Sequence, residues 1–380
     1  MNILFICGAL EPGRDGVGDY TRRLAGAVQS LGHLSSIIAL YDPYVAEETI
    51  VSQPAENSTV KVLRIPSNTG DFSRYRRANE WADAFDPMWI SLQFVPYSFN
   101  PKGLPFFLTR ELRALMVKGR QLHIMFHETW IGSEQSIDWK RRLTAALQQK
   151  IIRRMISSLS PAMIHTQLPV TQRNLKTIVQ GVHPLPLFSN IDIFNQPIQP
   201  ASRVLRVGFF SQAAANLPII SFLENLCSNA KAAGSEIELL FIGGDLTRMK
   251  EAGEIFNKTR HFTNKISYTG FLPPEGISAA LQRCSLGVTL VPRHALGKSG
   301  SVAAFLHHGI PVAAPVVQQG KNTRDIGFFS ASLCSAILLS PDLHALVIAK
   351  EAAMRAKNEI DLQVITKLFI ESIYSRTRRH

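Results

Sequence analysis

Apolar and polar positions along the chain form two series of short apolar runs, separated by stretches at helical spacing. Residues 2–8 (Asn-Ile-Leu-Phe-Ile-Cys-Gly) are one continuous run stopping at Gly8, the pattern of a parallel strand covered on both faces. A loop from Glu11 to Gly18 follows, and then Leu24, Val28 and Leu31 recur at helical spacing over 19–31, with Gly32 as a stop. Further strands are predicted over 34–40, 60–65, 89–94, 122–126 and 163–166. Pro184, Pro186, Pro197 and Pro200 then break all periodicity, after which the pattern restarts. It gives a strand at 205–210, a polar loop at 211–216, a helix over 218–233 closed by Gly234, and a strand at 238–242 ending in Gly243-Gly244-Asp245. Strands at 266–269 and 286–291 follow, and 342–375 reads as helical.

Strand and helix in alternation predict an α/β chain of two Rossmann-like domains, each with a mainly parallel sheet. The expected organisation is a first domain over 1–185, a linker over 186–203, a second domain over 204–350, and a helical segment over 351–380 free to return to the first. Two such domains facing a central cleft would bring the carboxyl ends of both sheets, where these sheets bind ligands, to one place.

Composition agrees with this and narrows the partners. At ~150 residues per domain, a chain of 380 suggests two. With 46% apolar and 18% charged residues it is a folded globular chain and not a disordered one. Cys7, Cys227, Cys284 and Cys334 are far apart, which argues against a disulfide framework or zinc site and fits a reducing cytosol. No apolar run reaches transmembrane length, and Met1 to Leu10 lacks a basic leader region, so it reads as a buried first strand.

The formal charge of +12 calls for an anionic partner: nucleic acid, a phosphorylated small molecule or an acidic membrane. Its distribution is uneven. No acidic residue lies between Asp138 and Asp192, while Lys140, Arg141, Arg142, Lys150, Arg153, Arg154, Arg173 and Lys176 all do. Over 139–156, Leu143, Leu147, Ile151 and Met155 form one helical stripe within these cations. That is either a solvated helix with a core-facing stripe or a surface for anionic lipid headgroups. No aromatic-laced RNA platform or helix-turn-helix signature accompanies the charge, which argues against nucleic acid.

Three constellations could carry chemistry. Gly16-x-Gly18 ahead of a helix lets backbone N–H groups and a positive helix end approach a phosphate or sugar hydroxyl. A plain strand-to-helix turn has the same appearance, and the third glycine of a dinucleotide fingerprint is missing. In the second domain, Lys298, Ser299, Gly300 and Ser301 open a helix whose apolar face is Val302, Phe305 and Leu306 and which stops at Gly309. Hydroxyls, a lysine and unpaired helix N–H groups make a diphosphate cradle, whereas simple capping accounts for one serine only. His127-Glu128 follow the strand 122–126 at its carboxyl end, where His127 could orient a sugar hydroxyl or pair with Glu128 at the edge of the core. No spacing of His, Cys, Asp and Glu suits a metal.

These motifs in order resemble the glycosyltransferases of GT-B architecture, and among them the retaining family 4. The resemblance runs through residues 16–28 with Leu31-Gly32-His33, the strand 239–245 ending in Gly-Asp, residues 266–272, 280–285 and 288–292, and the closing Gly309-Ile310-Pro311-Val312. It implies a nucleotide-diphosphate sugar on the second domain and a carbohydrate or lipid-linked acceptor on the first. The nucleotide would lie near Gly243, Asp245, Gly270 and Phe271, and the diphosphate near Gly16, Gly18, Lys298, Ser299, Gly300 and Ser301, with Arg293 assisting. His127 would sit beside the donor sugar, and no metal or other cofactor is implied. An inverting reaction would need a base, for which Asp19 and Glu128 are the candidates. The chain departs from the family at its paired glutamates, where Leu296 and Ala304 stand, and at its basic pair, where Phe209 and Ala214 or Ala215 stand. A non-catalytic scaffold of the same architecture and a sugar-nucleotide epimerase are the rival readings. The expected location is cytoplasmic, peripheral at the inner face of the membrane.

Overall fold

The computed structural model describes residues 1–131, 138–194, 204–259, 262, 265–318 and 325–377. The chain is α/β and divides into two compact units, Met1–Leu185 with Thr366–His380, and Pro186–Ile365. No described helix is long and apolar enough to cross a membrane.

The first unit holds an eight-stranded sheet. Its strands are β1 (Asn2–Cys7), β2 (Leu34–Asp42), β3 (Thr49–Ala55), β4 (Ser58–Pro66), β5 (Trp89–Phe94), β6 (Gln121–Phe126), β7 (Met163–Thr166) and β8 (Val182–Pro184), in the order β3-β4-β2-β1-β5-β6-β7-β8. All neighbours are parallel except β3 and β4. One face of the central strands (Leu4, Ile6, Ile90, Leu92, Leu122, Ile124) is packed under Tyr75, Ala78, Leu112, Ile152 and Met155. On the other face, Phe369 from the carboxyl-terminal helix Leu362–Thr377 packs with its ring tilted 6.0 Å from Phe5 and edge-on 5.1 Å from His123.

Two strands of this sheet were not visible in the sequence pattern, and neither were two short ones of the second unit, Val312–Ala313 and Ile337–Leu338. β3 contains Pro54 and exposes Ile50, both tolerable because it is the antiparallel edge strand. β8 is only three residues long and includes Pro184, so the strand takes in the first proline of the irregular stretch. Downstream, Phe188, Ser189 and Ile191 are buried and Phe194 N–H donates to Ser278 Oγ at 3.0 Å, so 186–194 is part of the body of the second unit. The rest of the expected linker, with Pro197 and Pro200, lies outside the described residues.

The second unit holds six parallel strands: β9 (Val204–Phe210), β10 (Glu236–Ile242), β11 (Ile266–Tyr268), β12 (Leu286–Val288), β13 (Val312–Ala313) and β14 (Ile337–Leu338), ordered β11-β10-β9-β12-β13-β14. Alternate residues of its strands serve two cores. Phe210, Leu240 and Ile242 face Val302, Phe305 and Leu306, while Val207, Phe209, Leu239 and Phe241 face Leu223, Leu226 and Phe256. In both sheets the chain order reverses beside the first strand, β1 or β9, which makes the carboxyl edge there the expected ligand position.

Candidate functional site

In the first unit the glycine segment is helix and not loop. The helix is Gly16–Ser30, and Asp15 caps it by accepting the Gly18 N–H at 2.6 Å. A Cβ at Gly18 would come 2.5 Å from the Ala9 carbonyl oxygen, so this glycine lets the helix sit against the chain leaving β1; a Cβ at Gly16 would meet nothing within 4 Å. The turn itself is tied down by charge. Arg64 donates at 2.7 Å to the fully buried Asp42 and at 2.7 Å to Glu11, and Asp42 also accepts the Leu10 N–H at 3.1 Å. Asp19 accepts the Gly13 N–H at 3.1 Å and Arg22 Nη2 at 2.5 Å. It therefore acts here as a clasp on the turn. Arg22 Nη1 is a buried donor with no partner, and nothing in the sequence pattern marks it out.

His127 stands one residue past β6, its N–H continuing the ladder to the Phe94 carbonyl at 3.1 Å. Its ring is buried, edge-on to Tyr20 at 5.0 Å, with Nε2 3.0 Å from Gln93 Oε1. Gln167 is a second hydrogen-bonding neighbour of the ring. Burial pushes the imidazole down to about 4, so it is neutral at physiological pH. The Glu128 side chain is exposed. Gln93 and Gln167 are hidden in the sequence because β5 and β7 read as plain buried strands; the signal available was the polar residue at every second position, Ser91, Gln93 and His165, Gln167.

In the second unit the carboxyl ends of the strands converge. Ser211, Gly243 and Gly244 all take left-handed backbone conformations (φ 67°, 61° and 72°), and a Cβ at Gly244 would lie 2.4 Å from the Ser211 carbonyl oxygen. The Gly243 N–H donates to Thr269 Oγ1 at 3.1 Å, joining the ends of β10 and β11. Gly270 is also left-handed (φ 65°), and beside it the Phe271 ring is 93% exposed. Asp245 caps the helix Leu246–Asn257, accepting from Thr247 N–H at 2.9 Å.

Beyond β12 a 3-10 turn, Arg293–Lys298, leads into the helix Gly300–His307. Ser299 caps it, accepting the Val302 N–H at 3.4 Å and meeting Ser301 Oγ at 3.1 Å, while Lys298 is exposed. Arg293 Nε and Nη2 donate to the carbonyls of Ala314 and Leu339 at 2.8 and 3.1 Å, past the ends of β13 and β14. Leu296 and Ala304 are both buried in the apolar core, and Phe209 is stacked 5.0 Å from Phe241. Leu296, Ala304 and Phe209 are thus packing residues.

The basic segment forms the helix Trp139–Leu159, capped by Asp138. Its predicted stripe holds only in the second half, where Ile151 and Met155 are buried. Leu147 is half-buried, and Leu143 is exposed together with Trp139 (69% exposed), Lys140, Arg141 and Arg142. The buried side chain at this level is Gln148, which accepts the Ile131 N–H at 2.9 Å and donates to the Gly103 carbonyl at 3.1 Å. Gly103 in turn lies against the Tyr97 ring, in a segment that also exposes Tyr97, Phe106 and Phe107. The sequence pattern gives no sign that these aromatics face outward.

No protein-family model matches the chain, and no curated protein does. Solved structures match along its whole length. Sucrose-phosphate synthase from Thermosynechococcus elongatus has a TM-score of 0.59 at 14% identity, covering 100% of this chain and 99% of that one. A glycosyltransferase from Rickettsia africae ESF-5 gives 0.60 at 12%, with 100% and 99% covered. A protein assigned as a UDP-N-acetylglucosamine 2-epimerase from Listeria monocytogenes gives 0.52 at 11%, with 100% and 97% covered. At these identities the likeness is one of fold, and the fold is GT-B.

Proposed function

We propose that this chain is a glycosyltransferase that moves a sugar from a nucleotide-diphosphate donor to a carbohydrate or lipid-linked acceptor, with retention, in glycan or polysaccharide synthesis. The observation that carries this reading is the carboxyl edge of the second sheet. There the left-handed turns at Gly243, Gly244 and Gly270 and the exposed Phe271 ring follow the neighbouring strands β10 and β11, and the Lys298–Ser301 helix start lies on the connection that leaves β12. A planar base stacks on Phe271, and the diphosphate is met by Lys298 and by the free N–H groups at the helix start. Lys298 then offsets the charge that develops on the leaving diphosphate, the main electrostatic demand of the reaction. The acceptor falls to the first unit, where Arg22 Nη1 is an uncommitted donor and His127 a neutral ring. With lysine and helix dipole in this role, neither a metal nor another cofactor is needed.

The chain works at the cytoplasmic face of the membrane. Cations and the exposed Trp139 ring on the first turns of Trp139–Leu159 are the residue types that settle at an anionic lipid–water boundary.

The test is a thermal-shift series with UDP-, GDP-, ADP- and dTDP-sugars, since a ligand that binds only the native state raises the melting temperature. One donor is expected to stabilise the wild type, with the shift lost in Lys298→Ala and reduced in Phe271→Ala. A shift undiminished in Lys298→Ala overturns the diphosphate assignment. A second reading is favoured by one observation: Leu296 and Ala304, at the family's glutamate positions, are core residues. On that reading the chain binds a nucleotide sugar or glycan without turning it over, and binding without transfer or hydrolysis is its signature. A donor sugar epimerised at a ring carbon without any acceptor would instead identify an epimerase.

A further inference from the structure

A line of polar side chains crosses the face of the first sheet that lies opposite Leu122, Ile124 and Ile90. Ser91 and Gln93 on β5, His123 on β6 and His165 on β7 share this face through the two-residue period of the strands, and His127 extends it past the end of β6. All five are buried. They form one hydrogen-bonded chain: His165 Nδ1 to His123 Nε2 at 3.0 Å, His123 Nδ1 to Ser91 Oγ at 2.8 Å, Gln93 Nε2 donating to Ser91 Oγ at 2.8 Å, and His127 Nε2 to Gln93 Oε1 at 3.0 Å. Among the described residues no three His, Cys, Asp or Glu side chains are placed to hold a metal ion.

Burial keeps the three imidazoles neutral: it pushes His165 down to about 3, His127 to about 4, and His123 well below its ordinary value. Each ring therefore has one N–H and one lone pair. An amide oxygen only accepts, so His127 carries its proton on Nε2. The Ser91 hydroxyl accepts from Gln93, and its own hydrogen has one remaining neighbour, His123 Nδ1. His123 is then protonated at Nε2 and donates to His165 Nδ1. Reversing one link alone strands a buried donor or acceptor, which costs more than a single bond contributes.

We infer that Ser91, His123 and His165 are positioning residues that act through Gln93 to hold His127 as its Nε2–H tautomer, leaving Nδ1 as a hydrogen-bond acceptor. A sugar hydroxyl reaching Nδ1 would donate to it. That last consequence rests on the glycosyltransferase reading; the tautomer does not.

The experiment is long-range 1H–15N spectroscopy of the full chain labelled at histidine, with His127 assigned by the peaks missing in His127→Gln. The wild type is expected to show His127 protonated at Nε2 and not at Nδ1. Ser91→Ala should average the two nitrogen shifts, and Ser91→Thr, which keeps the hydroxyl, should restore them. A wild-type His127 that is mixed or protonated at Nδ1 overturns the inference, and so does an unchanged His127 in folded Ser91→Ala. Should Ser91→Ala fail to fold, the wild-type assignment decides alone. Where the wild type transfers sugar, Ser91→Ala should lower kcat several-fold with donor affinity unchanged, and Ser91→Thr should recover it; an altered tautomer with unchanged kcat overturns the functional half. A wild type with the expected tautomer but no turnover counts against sugar transfer and leaves the positioning chain intact.

Discussion

Gly16 and Gly18 look alike in the sequence and differ in what surrounds them. Both lie in the first turn of the helix Gly16–Ser30, but only Gly18 has a backbone carbonyl where its Cβ would be. Gly18→Ala must therefore push the helix off the Ala9 carbonyl, an overpacking strain of about 1–3 kcal/mol. Gly16→Ala meets open space and restricts the unfolded chain, so it should be neutral or stabilise by up to about 1 kcal/mol. Urea unfolding of the two variants beside the wild type reads the difference. Equal effects would mean that the helix does not press on the turn at Ala9. Surroundings likewise account for Leu296 and Ala304, which the structure places together in the apolar core of the second unit.

At the scale of elements, the helix Trp139–Leu159 has two halves with different roles. Ile151, Ile152, Met155 and Ile156 are buried, while Trp139 and Leu143 are exposed among Lys140, Arg141 and Arg142. Removing exposed side chains costs little stability, within about 0.5 kcal/mol. Each cation near an anionic surface contributes ~1 kcal/mol of binding. Trp139→Ala with Lys140, Arg141 and Arg142 replaced by Gln should thus unfold like the wild type yet lose co-sedimentation with anionic vesicles. Wild-type binding should fall as salt is raised, since screening shortens the reach of these charges. Vesicle binding that survives both changes would remove the helix from the membrane. Strand positions were legible wherever a continuous apolar run marked a strand covered on both faces, as in β1, β5 and β9. They were not legible where an edge strand carries a proline, as β3 does, or where pairing rather than pattern defines the strand, as in β8. The stripe on Trp139–Leu159 failed for a related reason. Gln148 replaces an apolar contact with two hydrogen bonds to backbone, which periodicity does not register.

The whole molecule divides its acid sensitivity unequally. His123, His127 and His165 are in the first unit and are held neutral by burial; in the second, burial likewise lowers His308, to about 4. A group whose folded pKa is depressed below about 6.5 binds its proton first in the unfolded chain. Stability is then full above about pH 6.5 and falls by up to about 1.4 kcal/mol per pH unit for each such histidine, down to its folded pKa. For His127 that window closes near 4 and for His165 near 3. The first unit, with these three deeply buried groups and a smaller contribution of the same sign from His33, which burial also lowers, should lose stability faster on acidification than the second. Its unfolding can be followed alone, because all four tryptophans, Trp81, Trp89, Trp130 and Trp139, belong to it. The urea midpoint by tryptophan fluorescence should drop steeply from pH 7 to pH 5, and His165→Gln should make the slope shallower by about one histidine's share. Far-UV circular dichroism, which reports both units, should separate into two transitions as the pH falls. A fluorescence midpoint flat across that range would mean that the three imidazoles take up protons in the folded chain as readily as in the unfolded one, and the sheet face they share would then be open to water.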